Sequence, residues 1–173
     1  MKRFLPLLLL AITGCTHIDT RSDFQKIIQH PTVALAPQVE DVPPANGVLL
    51  SKFSFVTWGT NRVPGILVKP EKAQGRRPVV IALHGTGGSK AAMRGLCDKL
   101  ADKGFITVAI DAPYHGERAP GGKNDYPQAI VRAWHGNGEH PFFYDTVWDV
   151  ERLIDYLDTR DDIDPNRIGL IGI

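Results

Sequence analysis

Between Gly47 and Leu83 the apolar residues of this chain follow strand-like patterns. Residues 48–56 (VLLSKFSFV) alternate in part and residues 65–70 (GILVKP) close on a proline, so we predict two strands that pair antiparallel at a sheet edge. The run 78–83 (PVVIAL) is continuously apolar, which is typical of a strand buried on both faces of a parallel sheet.

Beyond this region, helical spacing alternates with short apolar runs. Ser89 is placed to cap a helix, and residues 105–110 (FITVAI) predict another buried strand. Residues 111–141 are expected to form a long loop, followed by a helix at 142–159 and a strand at 168–171. This alternation predicts an α/β fold with a mostly parallel sheet and flanking helices. The apolar positions of the two helices are Met93, Leu96, Cys97, Leu100 and Ala101, then Phe143, Val147, Val150, Ile154 and Leu157.

The first residues predict a targeting signal. Lys2 and Arg3 precede an apolar run at 4–12, which together indicate a signal peptide over residues 1–14. The stretch that ends in Cys15 (ITGC) resembles a bacterial lipobox, so this cysteine is expected to be acylated and to anchor the protein in the cell envelope, at the outer membrane or the periplasmic face. A secretory peptide with an incidental cysteine is the alternative.

Composition adds limits to this organisation. Residues 15–46 are polar and contain four prolines, which predicts a tether, and residues 47–173 then form the folded domain. The net charge of +1 excludes the basic surface of a nucleic-acid-binding protein. The chain has two cysteines, and because Cys15 is expected to be acylated, we expect no disulfide. Cys97 lies in a helical apolar pattern, so we expect it to be a small buried side chain.

Candidate chemistry begins at residues 84–88 (HGTGG), which follow a buried strand. The glycines allow the backbone to approach a ligand, and exposed N–H groups near a helix start suit a tetrahedral oxyanion. A dinucleotide loop is excluded because Lys90 stands where the last glycine of that motif belongs. A nucleotide P-loop is excluded because Ser89 precedes this lysine. A purely structural glycine turn stays open.

Four stretches in order resemble the α/β-hydrolase superfamily, nearest to its dienelactone-hydrolase-like, acetyl-esterase and prolyl-oligopeptidase-like branches. The resemblance covers about Gly47 to Ile173. The resemblance implies the N-terminal part of that fold, with the first five strands in the order 1-2-4-3-5. It also implies that the N–H of Thr86 belongs to an oxyanion hole, in a loop that contains His84 and Gly85. The stretches are 65–70, 84–88, 111–118 (DAPYHGER) and 149–157 with 163–169 (DVERLIDYL, IDPNRIG).

The resemblance further implies a serine-type carboxylic-ester hydrolase of the cell envelope. Gly172 and Ile173 are the first two letters of Gly-x-Ser-x-Gly, so we expect the domain to be truncated before its nucleophile, acid and base and to be inactive. The alternatives are a catalytically dead lipoprotein that binds a ligand or partner, and a prolyl-oligopeptidase-like peptidase. No cofactor or metal is predicted. The implied partners are a small-molecule ester for the full-length enzyme and a lipid bilayer through Cys15.

The remaining polar and aromatic residues carry weaker expectations. His84 is expected to support its loop and not to act as the catalytic base. Asp111 and His115 are expected to organise their own loop, with substrate contact as the alternative. A metal site formed by His115, His135 and His140 is considered and not favoured. The aromatic residues that could line a pocket or lid, or belong to the core, are Tyr114, Tyr126, Trp134 and residues 142–144.

Overall fold

The computed structural model describes residues 20–136 and 142–173. No helix within these two ranges is long and apolar enough to cross a membrane. Two short 3-10 turns, Gly116–Arg118 and Gly122–Asn124, accompany the regular elements. The helices are α1 (Thr20–Ile28), α2 (Arg94–Ala101), α3 (Asp125–His135) and α4 (Phe143–Asp158), and the strands are β1 (Gln38–Ala45), β2 (Val48–Val56), β3 (Arg62–Pro70), β4 (Arg77–Leu83), β5 (Ile106–Ile110) and β6 (Ile163–Gly172).

The strands form one mixed sheet in the order β1-β2-β3-β5-β4-β6. The pairs β1–β2, β2–β3 and β3–β5 are antiparallel, whereas β4 lies parallel to both β5 and β6. Counted from β2, the five strands that the sequence predicted stand in the order 1-2-4-3-5, which confirms the expected arrangement and the α/β class. The sheet has one strand more than predicted.

The additional strand, β1, lies inside the segment expected to be a tether. It pairs with β2 from Gln38 opposite Ser54 to Ala45 opposite Val48. Seven of its eight residues are exposed and none is fully buried, so it has no apolar pattern by which to be predicted. Asn46 and Gly47 have positive φ angles of 53° and 75°, as a two-residue hairpin turn requires. The structure therefore starts the folded sheet at Gln38 and not at Gly47.

The segment between α1 and β1 is also held against the domain. The indole N–H of Trp148 on α4 donates to the carbonyl oxygen of Ile28 over 2.6 Å, and Arg152 Nη2 donates to that of Val33 over 2.5 Å. The N–H of Val56 donates to the carbonyl of Leu35 over 2.7 Å. Residues 28–35 thus lie against α4 and the end of β2, where the sequence predicted a tether.

Two apolar layers cover the sheet. On one face α4 contributes Leu153, Tyr156 and Leu157, and on the other α2 contributes Cys97 and Ala101. Cys97 is fully buried, and burial raises the pKa of its thiol. This confirms the prediction of a small buried cysteine.

Three helix predictions need correction. The helix expected from Ser89 begins at Arg94, because residues 89–94 form successive i to i+3 turns and no side chain caps the helix. The long loop expected at 111–141 contains α3. The apolar residues Ile130, Val131 and Trp134 of this helix are exposed, so they do not form an apolar face that packs on the core. Helix α4 is confirmed. Its buried face differs from the predicted one, however, and consists of Asp145, Trp148, Asp149, Arg152, Leu153, Tyr156 and Leu157.

Candidate active site

Two loops and the end of one strand meet at the carboxyl edge of the parallel strands. The loop after β4 begins at His84, and the loop after β5 begins at Asp111. The last pair of the β4–β6 register joins Leu83 to Gly172, and Ile173 N–H donates to the Leu83 carbonyl over 3.2 Å. In open α/β sheets, ligands bind outside this edge.

The glycine loop after β4 forms a tight turn. Gly88 N–H donates to the Gly85 carbonyl over 3.0 Å, and Gly87 has a φ of +77°, the value that the third position of a type II turn needs. A Cβ atom on Gly85 would lie 2.4 Å from the carbonyl oxygen of Ile173. Gly85 therefore lets the turn lie directly against the end of β6.

Besides Gly88, two backbone N–H groups around this turn have protein acceptors. Gly87 N–H donates to His115 Nε2 over 3.1 Å, and Lys90 N–H donates to Asp111 Oδ1 over 2.7 Å. For the N–H of the exposed Thr86 there is no acceptor among the residues that the structure describes. The donor that the sequence assigned to an oxyanion is thus left open to a ligand, and its catalytic role stays a prediction.

The buried carboxylate of Asp111 joins the two loops. Besides the Lys90 N–H, it accepts from Lys90 Nζ over 2.6 Å and from Glu117 N–H over 3.0 Å. Lys90 Nζ also donates to Glu117 Oε1 over 2.7 Å. Gly116 has a φ of +52°, and a Cβ atom there would lie 2.3 Å from the Asp111 carboxyl carbon. The loop after β5 can therefore wrap around the carboxylate only with glycine at this position.

A second buried ion pair fixes the same loop to α4. Arg118 Nη1 donates to the fully buried carboxylate of Asp149 and, over 3.1 Å, to the Asp111 carbonyl. Its Nη2 donates to Asn61 Oδ1 over 3.2 Å. Burial raises the pKa of the Asp149 carboxyl, and the Arg118 guanidinium opposes that shift. Both acids at the loop, Asp111 and Asp149, are therefore engaged by cations that hold the backbone in place.

The two histidines of the site cross between the loops. His84 Nε2 accepts the N–H of Ala112 over 3.1 Å, and His84 Nδ1 lies 2.9 Å from the Gly85 carbonyl oxygen. His115, which accepts from Gly87, has its Nδ1 2.9 Å from the carbonyl oxygen of Pro113. The sequence pointed to loop-supporting roles for both residues but gave no indication of these partners.

A cavity of about 610 Å³ opens beside the turn. It is lined by residues 86–89, Tyr114, His115 and Tyr126, so two of the expected aromatic residues reach it. The Phe142 ring packs edge-on against both tyrosines, at centroid distances of 5.4 and 5.6 Å. Trp134 lies on the surface instead, with 86% of its area exposed.

Three expectations fall on residues outside the described ranges. These are the signal peptide over residues 1–14, Cys15 of the lipobox and His140 of the considered metal group. Among residues 20–136 and 142–173, no cluster of three or more histidine, cysteine or acidic side chains could hold a metal ion.

The strand order and the loop positions are those of part of an α/β-hydrolase domain. The sequence profile of the dienelactone hydrolase family matches residues 63–173, and the chain belongs to this family. It is 38% identical over 95 residues to the protein YcjY of Escherichia coli (strain K12), an alignment that covers 54% of this chain and 26% of that protein.

Solved structures agree in fold. Acetyl Xylan Esterase 1 from Thermoanaerobacterium sp. JW/SL YS485 superposes with a TM-score of 0.71 at 18% identity, covering 88% of this chain and 49% of that one. The acetyl xylan esterase from Paenibacillus sp. R4 gives 0.63 at 19% identity, covering 87% and 49%. The chain thus spans about a quarter of its sequence relative and about half of each esterase.

We predict that loss of one partner from the buried Lys90–Asp111 pair strongly destabilises the fold. Lys90→Met should lower the free energy of unfolding by about 3–5 kcal/mol, because it leaves a buried carboxylate without its cation. The control is Lys52→Met, which removes an exposed pair with Glu40 at 3.5 Å and should cost less than about 1 kcal/mol. Urea denaturation measures both variants. Equal costs for the two would contradict the prediction.

Proposed function

We propose that this chain forms the oxyanion-binding part of a serine-type carboxylic-ester hydrolase. The observation that carries the proposal is the open N–H of Thr86, held in a fixed turn against the end of β6. Membership of the dienelactone hydrolase family supports the same reaction class. Gly172 and Ile173 match the start of the Gly-x-Ser-x-Gly elbow, in which a serine follows the strand on a sharp turn.

In such a hydrolase the serine oxygen attacks the ester carbonyl carbon, and negative charge develops on the carbonyl oxygen. Under the proposal, Thr86 N–H donates to that oxygen, and the elbow supplies a second N–H. A single donor of this kind contributes about 2.7–4 kcal/mol to transition-state stabilisation in a complete enzyme. The turn is preorganised here by contacts within the protein, since Gly87 and Gly88 already have acceptors.

The 173 residues by themselves do not turn over an ester under this proposal. Their sequence contains no Gly-x-Ser-x-Gly. Ser89, which lines the cavity together with His115, is a serine close to the turn. A nucleophilic serine needs a base that can accept its proton, and the Nε2 atom of His115 already accepts the N–H of Gly87.

The test combines an ester assay with NMR of the labelled chain. Hydrolysis of p-nitrophenyl acetate should not exceed that in buffer. Titration with methylphosphonate, a tetrahedral anion, should shift the Thr86 amide resonance. Thr86→Pro removes this N–H at the turn position that proline favours and should abolish binding, whereas Thr86→Ala keeps the N–H and should retain it. Turnover sensitive to a serine-directed inhibitor, or no shift at Thr86, would contradict the proposal.

We extend the proposal to location, on the strength of the lipobox that ends at Cys15. Acylation there would hold the protein on a membrane of the cell envelope. The protein expressed in a bacterial host should therefore sediment with the membrane fraction, and Cys15→Ser should release it. Equal sedimentation of both forms would show that the cysteine is not the anchor.

A further inference from the structure

His84 and His115 are arranged reciprocally across the two loops of the site. Each ring belongs to one loop and accepts a backbone N–H from the other: His84 from Ala112, and His115 from Gly87, both over 3.1 Å. The ring centroids are 5.0 Å apart. These two bonds cross-link the loops independently of the Asp111 carboxylate.

The geometry determines which nitrogen of each ring carries the proton. A backbone carbonyl can only accept, so the 2.9 Å contacts of His84 Nδ1 with the Gly85 oxygen and of His115 Nδ1 with the Pro113 oxygen each need a proton on Nδ1. A backbone N–H can only donate, so each Nε2 atom must be unprotonated. Both rings are therefore neutral Nδ1–H tautomers, and the lone pair of each Nε2 atom is occupied.

The backbone around His115 is shaped to present this ring. Tyr114 and Gly116, on either side of it, have φ angles of +62° and +52°. A positive φ is uncommon for tyrosine and indicates that the surroundings enforce the conformation. The buried imidazole also packs against Tyr126, with centroids 4.7 Å apart. The ring is thereby fixed in rotation with Nε2 directed at Gly87.

We propose that His84 and His115 are a reciprocal pair of positioning residues that select the oxyanion donor. By taking up the N–H of Gly87, His115 removes it from the ligand side of the turn, so that Thr86 N–H and not Gly87 N–H is offered to a substrate. His84 holds the other loop in register through Ala112. Neither histidine serves as a general base, because a base needs a free lone pair. The catalytic consequence rests on the proposed function; the tautomers and hydrogen bonds do not.

The test uses NMR of the full chain and two variants of His115. Each variant keeps a polar group near only one of the two ring nitrogens. Long-range ¹H–¹⁵N correlations should show both rings as Nδ1–H tautomers. His115→Gln places an acceptor near the Nε2 position and should keep the Gly87 amide protected from hydrogen exchange. His115→Asn places its amide near Nδ1 and should raise the Gly87 exchange rate roughly fivefold or more, as expected for the loss of one hydrogen bond.

If His115→Asn does not fold, the same comparison is made with His84→Gln and His84→Asn. The exchange rate of the Ala112 amide is then measured, because this N–H donates to His84. Nε2–H tautomers, or equal Gly87 exchange in the glutamine and asparagine variants, would overturn the proposal. If exchange follows the prediction but methylphosphonate does not shift the Thr86 amide, the positioning pair stands and the proposed ester hydrolase is contradicted.

Discussion

The candidate site depends on one buried carboxylate. Asp111 stands where β5 ends, has no exposed area, and accepts hydrogen bonds from Lys90 N–H, Lys90 Nζ and Glu117 N–H. A charge in such a position is tolerated only when it is paired and hydrogen-bonded. The carboxylate therefore draws the loop after β4 onto the loop after β5. The glycine turn and the cavity lie at that junction, and the two histidines cross-link the same two loops through separate hydrogen bonds.

The arrangement leaves the Thr86 N–H open while the N–H groups of Gly87, Gly88 and Lys90 are engaged. Gly87 and Lys90 donate across the loop junction, and Gly88 closes the turn on Gly85. Because these contacts lie within the protein, the turn does not need a ligand to adopt its shape. A preorganised donor is more effective than one that must reorient during the reaction, which is the physical basis of an oxyanion hole. The close approach of Gly85 to Ile173 places this turn beside the end of β6, where we propose that the elbow begins.

Much of the fold could be predicted because its central strands are continuous apolar runs, and the sheet order followed from the resemblance that the motifs carry. Strand β1 could not be predicted, because its residues are exposed and its pairing depends on backbone hydrogen bonds. The available signal for this hairpin was the Asn46–Gly47 dipeptide. Helix α3 was missed because its apolar residues face outwards.

Within the candidate site, the glycine loop could be predicted from the sequence. The partners Lys90–Asp111 and Gly87–His115 could not, because they are 21 and 28 residues apart and meet only after β4 and β5 pair.

The central claim is that the loop junction engages the N–H groups of Gly87, Gly88 and Lys90 and leaves Thr86 N–H free. Amide hydrogen exchange in the wild-type chain tests it most directly. The account predicts protection at Gly87, Gly88 and Lys90, and exchange at Thr86 close to that of an unstructured peptide. Protection of Thr86 together with fast exchange at Gly87 and Lys90 would contradict it.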